Sequence, residues 1–107
     1  MATFYLRTAT NGEYYFNLKA GNGETILTSE RYASKQGARN GIDSVKENAP
    51  YDSRYEKRTA TNGEYYFVLK ASNGQVIGVS ERYVTSSGRD GGIDAVKRNA
   101  PSANIVE

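Results

Sequence analysis

Apolar residues recur at every second position early in the chain: Phe4 and Leu6, then Tyr14, Phe16, Leu18 and Ala20. Such alternation marks β-strands with one buried face. Turn chemistry separates the runs. Thr10-Asn11-Gly12 lies between the first two, and Gly21-Asn22-Gly23 precedes a third, Glu24 to Ser29. Asn-Gly between apolar runs is a strong hairpin signal. A two-residue loop at Asn22-Gly23 would set Ile26 opposite Lys19 and mix the faces. A three-residue loop, with Gly23 left-handed and a bulge, sets Ile26 opposite Leu18. The same loop at Thr10-Asn11-Gly12 sets Leu6 opposite Phe16 and Phe4 opposite Leu18. Both turns then agree on one buried face of Phe4, Leu6, Tyr14, Phe16, Leu18, Ala20 and Ile26. A slip of one residue would turn the whole set to water.

Beyond Ser29 the period changes to that of a helix. Ala38, Ile42, Val45 and Ala49 fall on one stripe, Ser34 suits the N-cap, and Asn48-Ala49-Pro50 is a stop. The pattern then runs again. Arg7 to Pro50 and Arg58 to Pro101 align without a gap at an offset of 51 positions, with roughly two-thirds of the pairs identical. A period near fifty means duplicated structural units. In the second copy Tyr55, Tyr65, Phe67, Leu69, Ala71, Ile77 and Val79 are expected to face inward. Lys57 replaces Leu6, its stem packed and its ammonium in solvent. Thr85 caps a second helix with Ile93, Val96 and Ala100 on its stripe. Gly37, Gly41, Gly88, Gly91 and Gly92 sit in the helical segments, where glycine costs about 1 kcal/mol relative to alanine. We read them as points where the helix backbone closely approaches another element. Ser102 to Glu107 reads as a frayed tail.

The expected fold is α+β: two β-β-β-α repeats form one six-stranded, mainly antiparallel sheet, with both helices on one face. One repeat alone, about fifty residues, buries too little surface to be comfortably stable. Residues 1–107 are therefore expected to form a single domain of two pseudo-twofold repeats, 1–50 and 51–107.

The formal charge of +2 divides evenly between the halves, too mild to announce a nucleic-acid or membrane partner. The chain has no cysteine and no histidine. Thiolate chemistry and the Ser-His-Asp triad are thereby excluded, as are the usual transition-metal ligands. Asp43 and Asp94 stand alone, and no calcium loop is present, so no metal and no cofactor are expected. No apolar run approaches a membrane span, and none resembles a signal peptide, which makes a cytoplasmic monomer the expectation.

The pattern F-x-L-K-A-x-N-G, S-E-R-Y, G-I-D-x-V-K-x-N-A-P occurs at Phe16 to Gly23, Ser29 to Tyr32 and Gly41 to Pro50. It recurs at Phe67 to Gly74, Ser80 to Tyr83 and Gly92 to Pro101. With these motifs the chain resembles the YegP-like family, small bacterial tandem-repeat proteins of unknown function. The resemblance covers nearly the whole chain. It implies a β3-α repeat whose copies share one sheet and exchange their C-terminal helices. It transfers no catalytic or ligand-binding residue.

Two constellations carry candidate chemistry. The register places Arg7 opposite Tyr15 and Arg58 opposite Tyr66 on the outward sheet face, with Lys19 and Lys70 further along. Cations and aromatics on an open sheet can hold phosphates and stack bases; more often they are solvated cross-strand pairs. Leu27, Val68 and Val76 also point outward in this register, which makes protein contact a comparable rival to nucleic acid on this face. Glu30 and Glu81, placed opposite Tyr14 and Tyr65, could be raised-pKa acids; the structural reading has them accept hydrogen bonds from helix N-termini or tyrosines. The glycines of Gly88 to Gly92 lack phosphate-loop spacing. A Ser–Lys or Tyr–Lys site has no spacing to single it out. The leading expectation is a non-catalytic protein-interaction or structural module with an unknown protein partner. Weak single-stranded nucleic-acid binding is the alternative, and an enzyme with a Tyr, Lys or Glu site a distant third.

Overall fold

A computed structural model describes residues 2–107. The first repeat supplies strands β1 (Thr3–Thr8), β2 (Tyr14–Lys19) and β3 (Thr25–Ser29), then helix α1 (Lys35–Asn48). A 3-10 turn, Asp52–Arg54, leads into β4 (Tyr55–Thr59), β5 (Tyr65–Lys70), β6 (Val76–Val79) and helix α2 (Ser86–Asn99). A second 3-10 turn, Ala100–Ser102, precedes a last strand, β7 (Asn104–Val106).

The hairpin turns follow the sequence expectation. Ala20 N–H bonds the Glu24 carbonyl at 2.8 Å, and Gly23 N–H bonds the Ala20 carbonyl at 2.9 Å. Gly23 has φ +88°, which an L side chain would resist. Leu6 stands opposite Phe16, and Phe4 opposite Leu18. Phe4, Phe16, Leu18, Phe67 and Leu69 are fully buried beneath the helices. Phe4 meets Phe16 edge to face at 5.7 Å, a favourable arrangement of ring quadrupoles. Ser34 and Thr85 cap the helices, accepting from the Gly37 and Gly88 amides at 2.9 Å.

Three expectations are corrected. First, the sheet has seven strands, in the order β4-β5-β6-β3-β2-β1-β7. The tail read as frayed is an ordered strand parallel to β1, anchored by buried Ala103 and by Glu107, which accepts from Arg39 Nε at 2.8 Å. Second, Leu18 pairs with Leu27 rather than Ile26, because a bulge follows the turn. Two residues then oppose one, and both Ile26 and Leu27 enter the core, so Leu27 does not point outward. The bulge recurs in β6, where Leu69 pairs with Gly78 and Val68 with Val79. Val79 therefore shares the outer face with Val68 instead of facing inward. Third, the helices are not cleanly exchanged. α1 lies on β1 and β2 of its own repeat and reaches across to β5 and β6, while α2 spans β5 and β3. Gly41 and Gly92 mark where each helix presses on the strands of its own repeat. A Cβ at Gly41 would press on Tyr32 and come within 3.0 Å of the Phe16 ring; Gly92 has the same relation to Tyr83 and Phe67.

The repeats join through β3 and β6, antiparallel, with Thr28 opposite Val79 and Ser29 opposite Gly78. A Cβ at Gly78 would lie 2.8 Å from Leu27 Cγ, so one leucine fills the space at the β3–β6 seam.

Candidate functional site

With both helices on one side, the opposite sheet face is uncovered. Successive strand pairings lay Tyr5, Asn17, Thr28, Val79, Val68 and Glu56 in one row across it. Tyr5 and Glu56 are equivalent positions in the two repeats, and they give the two halves different chemistry.

In the first repeat Arg7 lies opposite Tyr15, as the register requires, but each ring takes a different cation. The Arg7 guanidinium is 5.3 Å and the Lys19 ammonium 5.6 Å from the Tyr5 ring centre. Arg31 lies 4.7 Å from the Tyr15 ring. Arg7 Nε also donates to Asn17 Oδ1 at 3.2 Å, and Asn17 Nδ2 donates to Thr28 Oγ1 at 2.9 Å. In the second repeat Arg58 lies opposite Tyr66, and Arg82 is 4.6 Å from the Tyr66 ring. Here Glu56 accepts from Arg58 Nε at 2.6 Å and pairs with Lys70. The Lys70 hydrogen bond, and then that of Arg58, pull the Glu56 carboxyl down to about 2. The six residues singled out from sequence thus share one face, but Arg58 and Lys70 are neutralised whereas Arg7 and Lys19 pair with an uncharged ring. Tyr5, Arg31 and Arg82 were missed. The signal for Tyr5 was the unequal Tyr/Glu pair in otherwise matching repeats.

Outward apolar surface is smaller than expected. Leu27 is in the core, and Val68, though outward, is almost fully covered; Val76 is half-buried.

Glu30 and Glu81 are exposed. Tyr14 and Tyr65 bridge to Tyr32 and Tyr83 rather than to the glutamates, because Ser29 and Ser80 interrupt the ladder. Each serine hydroxyl accepts the amide of Phe16 or Phe67 at 2.9 Å and donates to the Glu30 or Glu81 carbonyl. The helix caps are Ser34 and Thr85, so the glutamates do not serve there. Burial first, and the nearby Glu30 or Glu81 second, push the Tyr32 and Tyr83 phenols above their ordinary value. That is opposite to what proton abstraction near neutral pH needs. Glu81 and Tyr83 line a groove of about 620 Å³ between the β2–β3 turn and α2. Among the described residues no cluster of acidic side chains could hold a metal ion, and no helix is long and apolar enough to cross a membrane.

A family model described as a domain of unknown function, DUF1508, matches residues 9–56 and again 60–107. The chain belongs to the DUF1508 family. It is 52% identical over 104 residues to the UPF0339 protein YegP of Escherichia coli K12, covering 97% of this chain and 94% of that protein. It is 46% identical to the UPF0339 protein PA0329 of Pseudomonas aeruginosa, covering 99% and 96%. The solution NMR structure of yegP from E. coli, a protein of unknown function, superposes with a TM-score of 0.92 at 51% identity, covering 97% of this chain and 90% of that one. That of the UPF0339 protein SO3888 from Shewanella oneidensis gives 0.91 at 47%, covering 97% and 88%. The matched unit runs from β2 through α1 into β4, and again from β5 through α2 to the end of β7; Val106 is the counterpart of Tyr55 at the start of β4, and Asn104 and Ile105 are those of Ser53 and Arg54 in the preceding 3-10 turn.

Proposed function

We propose that this DUF1508 protein is a non-catalytic cytoplasmic binding module, one domain of two repeats, whose working surface is the first-repeat half of the open sheet face. The observation that carries this reading is Tyr5 flanked by Arg7 and Lys19, next to Tyr15 under Arg31, with no carboxylate at the place Glu56 takes in the other half. Rings with cations beside them suit a partner with stacking groups and negative charge, which favours single-stranded nucleic acid. The apolar surface that favoured a protein partner on this face is reduced by the burial of Leu27 and Val68.

Fluorescence anisotropy with labelled single-stranded oligonucleotides tests this. Binding should appear at low salt and weaken steadily as salt rises. Tyr15→Ala should weaken it about tenfold, in keeping with about 1–3 kcal/mol per stacked base. Arg58→Ala should have a smaller effect than Arg7→Ala, since Glu56 already neutralises Arg58. Absence of binding, or binding indifferent to ionic strength, overturns the reading.

A further inference from the structure

The chain holds five Asn-Gly pairs, and four of them close the hairpins. At Asn11, Asn22, Asn62 and Asn73 the turns have the same backbone. The glycine that follows has φ between +86° and +88°, and its amide donates to the carbonyl of Ala9, Ala20, Ala60 or Ala71 at 2.9–3.0 Å. Each asparagine Oδ1 accepts the amide two residues on at 3.0–3.1 Å. The other end of the side chain separates the four. Asn11, Asn22 and Asn62 donate through Nδ2 to the carboxylates of Glu13, Glu24 and Glu64 at 2.9, 2.8 and 3.0 Å. At the fourth turn Gln75 stands in place of the glutamate, and Asn73 Nδ2 has no partner among the described residues. The fifth pair, Asn40-Gly41, lies inside α1, where the helix keeps the glycine amide in its own ladder.

In an Asn-Gly pair the side-chain carboxamide is open to attack by the next backbone nitrogen, because glycine puts no side chain in the way. We propose that Asn73 is the deamidation site of this protein, the turn that the folded chain converts to aspartate and isoaspartate ahead of the rest. In mildly alkaline water a hydroxide ion takes the Gly74 amide proton, and the nitrogen attacks Asn73 Cγ. The N–Cγ bond forms, the Cγ–Nδ2 bond breaks, and Nδ2 leaves as ammonia with a proton supplied by water. A water molecule then opens the cyclic imide at either carbonyl, leaving aspartate or isoaspartate at position 73. Two features of the glutamate turns oppose this step. Their carboxylates tether Nδ2, so both ends of the carboxamide are held and Cγ is kept from the glycine nitrogen. They also place negative charge beside an amide that must itself become negative, which disfavours its ionisation. Gln75 is neutral and leaves Nδ2 untethered. All four glycine amides must first leave their alanine carbonyls, and an exposed hairpin tip held at one point fewer opens more often. The isoaspartate product adds a methylene to the backbone of the β5–β6 turn, so the change falls on one repeat and spares its twin.

The test ages the full, folded chain at mildly alkaline pH and reads conversion of amide to acid at each asparagine by peptide-mapping mass spectrometry. Isoaspartate-specific enzymatic methylation identifies the linkage. Asn73 should convert roughly threefold or more faster than Asn11, Asn22 and Asn62, the scale of one exposed charged contact. Gln75→Glu should bring Asn73 down to the other three, and Glu24→Gln should raise Asn22 to match it. In urea the margin should shrink, since no turn is then held. Conversion of Asn73 no faster than the others, a Gln75→Glu variant that ages like the parent, or an undiminished margin in urea overturns the proposal.

Discussion

Gly91 and Gly92 are neighbours in α2 and opposites in what a side chain would meet. A Cβ at Gly91 meets nothing within 4 Å, whereas one at Gly92 presses on Tyr83 and the Phe67 ring. Gly91→Ala should therefore stabilise the protein by about 0.5–1 kcal/mol, through helix propensity and a less flexible unfolded chain. Gly92→Ala should destabilise it by about 1–3 kcal/mol, since a packed core resists added volume. Urea denaturation of the two variants checks both signs. Glu56 makes a second prediction at this scale. Its carboxyl lies below 4.5, at about 2, in the folded chain, so its contribution is present above about pH 4.5 and is lost as pH falls towards 2. Glu56→Gln should lower the melting temperature at neutral pH, and the gap to the parent protein should close across that window in pH-resolved thermal melts. The sequence made the four packed helix glycines legible as close approaches, but Gly91 has no such contact. It could not show that Ser29 and Ser80 would replace a ladder partner with a hydroxyl, because an isolated serine after a strand reads as ordinary turn chemistry.

At the scale of elements, strand alternation and turn type were enough to pair β1 with β2 and β4 with β5 residue by residue, including Arg7 with Tyr15 and Arg58 with Tyr66. They failed at β3 and β6. There an additional bulge admits two residues to the core for one opposite, and the consecutive apolar Ile26-Leu27 was its only trace in the sequence. The bulge brings Leu27 to Gly78. Gly78→Ala should destabilise by about 1–3 kcal/mol, and the loss should be smaller in a Leu27→Ala background, where the space is open. A double-mutant cycle measured by denaturant unfolding reads that coupling directly; strict additivity would count against the contact.

Across the whole molecule, the repeat predicts a symmetric object, and the departures from symmetry carry the chemical information. Where one half of the open face sets the Tyr5 ring beside Arg7 and Lys19, the other sets Glu56, which pairs with Arg58 and Lys70. One edge is closed by β7, and the other ends at β4. Neither edge was legible beforehand: the tail's anchors, Ala103 and Glu107, acquire meaning only when the core closes over the one and Arg39 meets the other. The Leu27–Gly78 contact goes further. Two first repeats set face to face across the β3–β6 seam would drive two leucines into one space, and two second repeats would leave a hole there. Neither half can be its own mate, so the covalent link between them joins a lock to its key rather than two interchangeable copies.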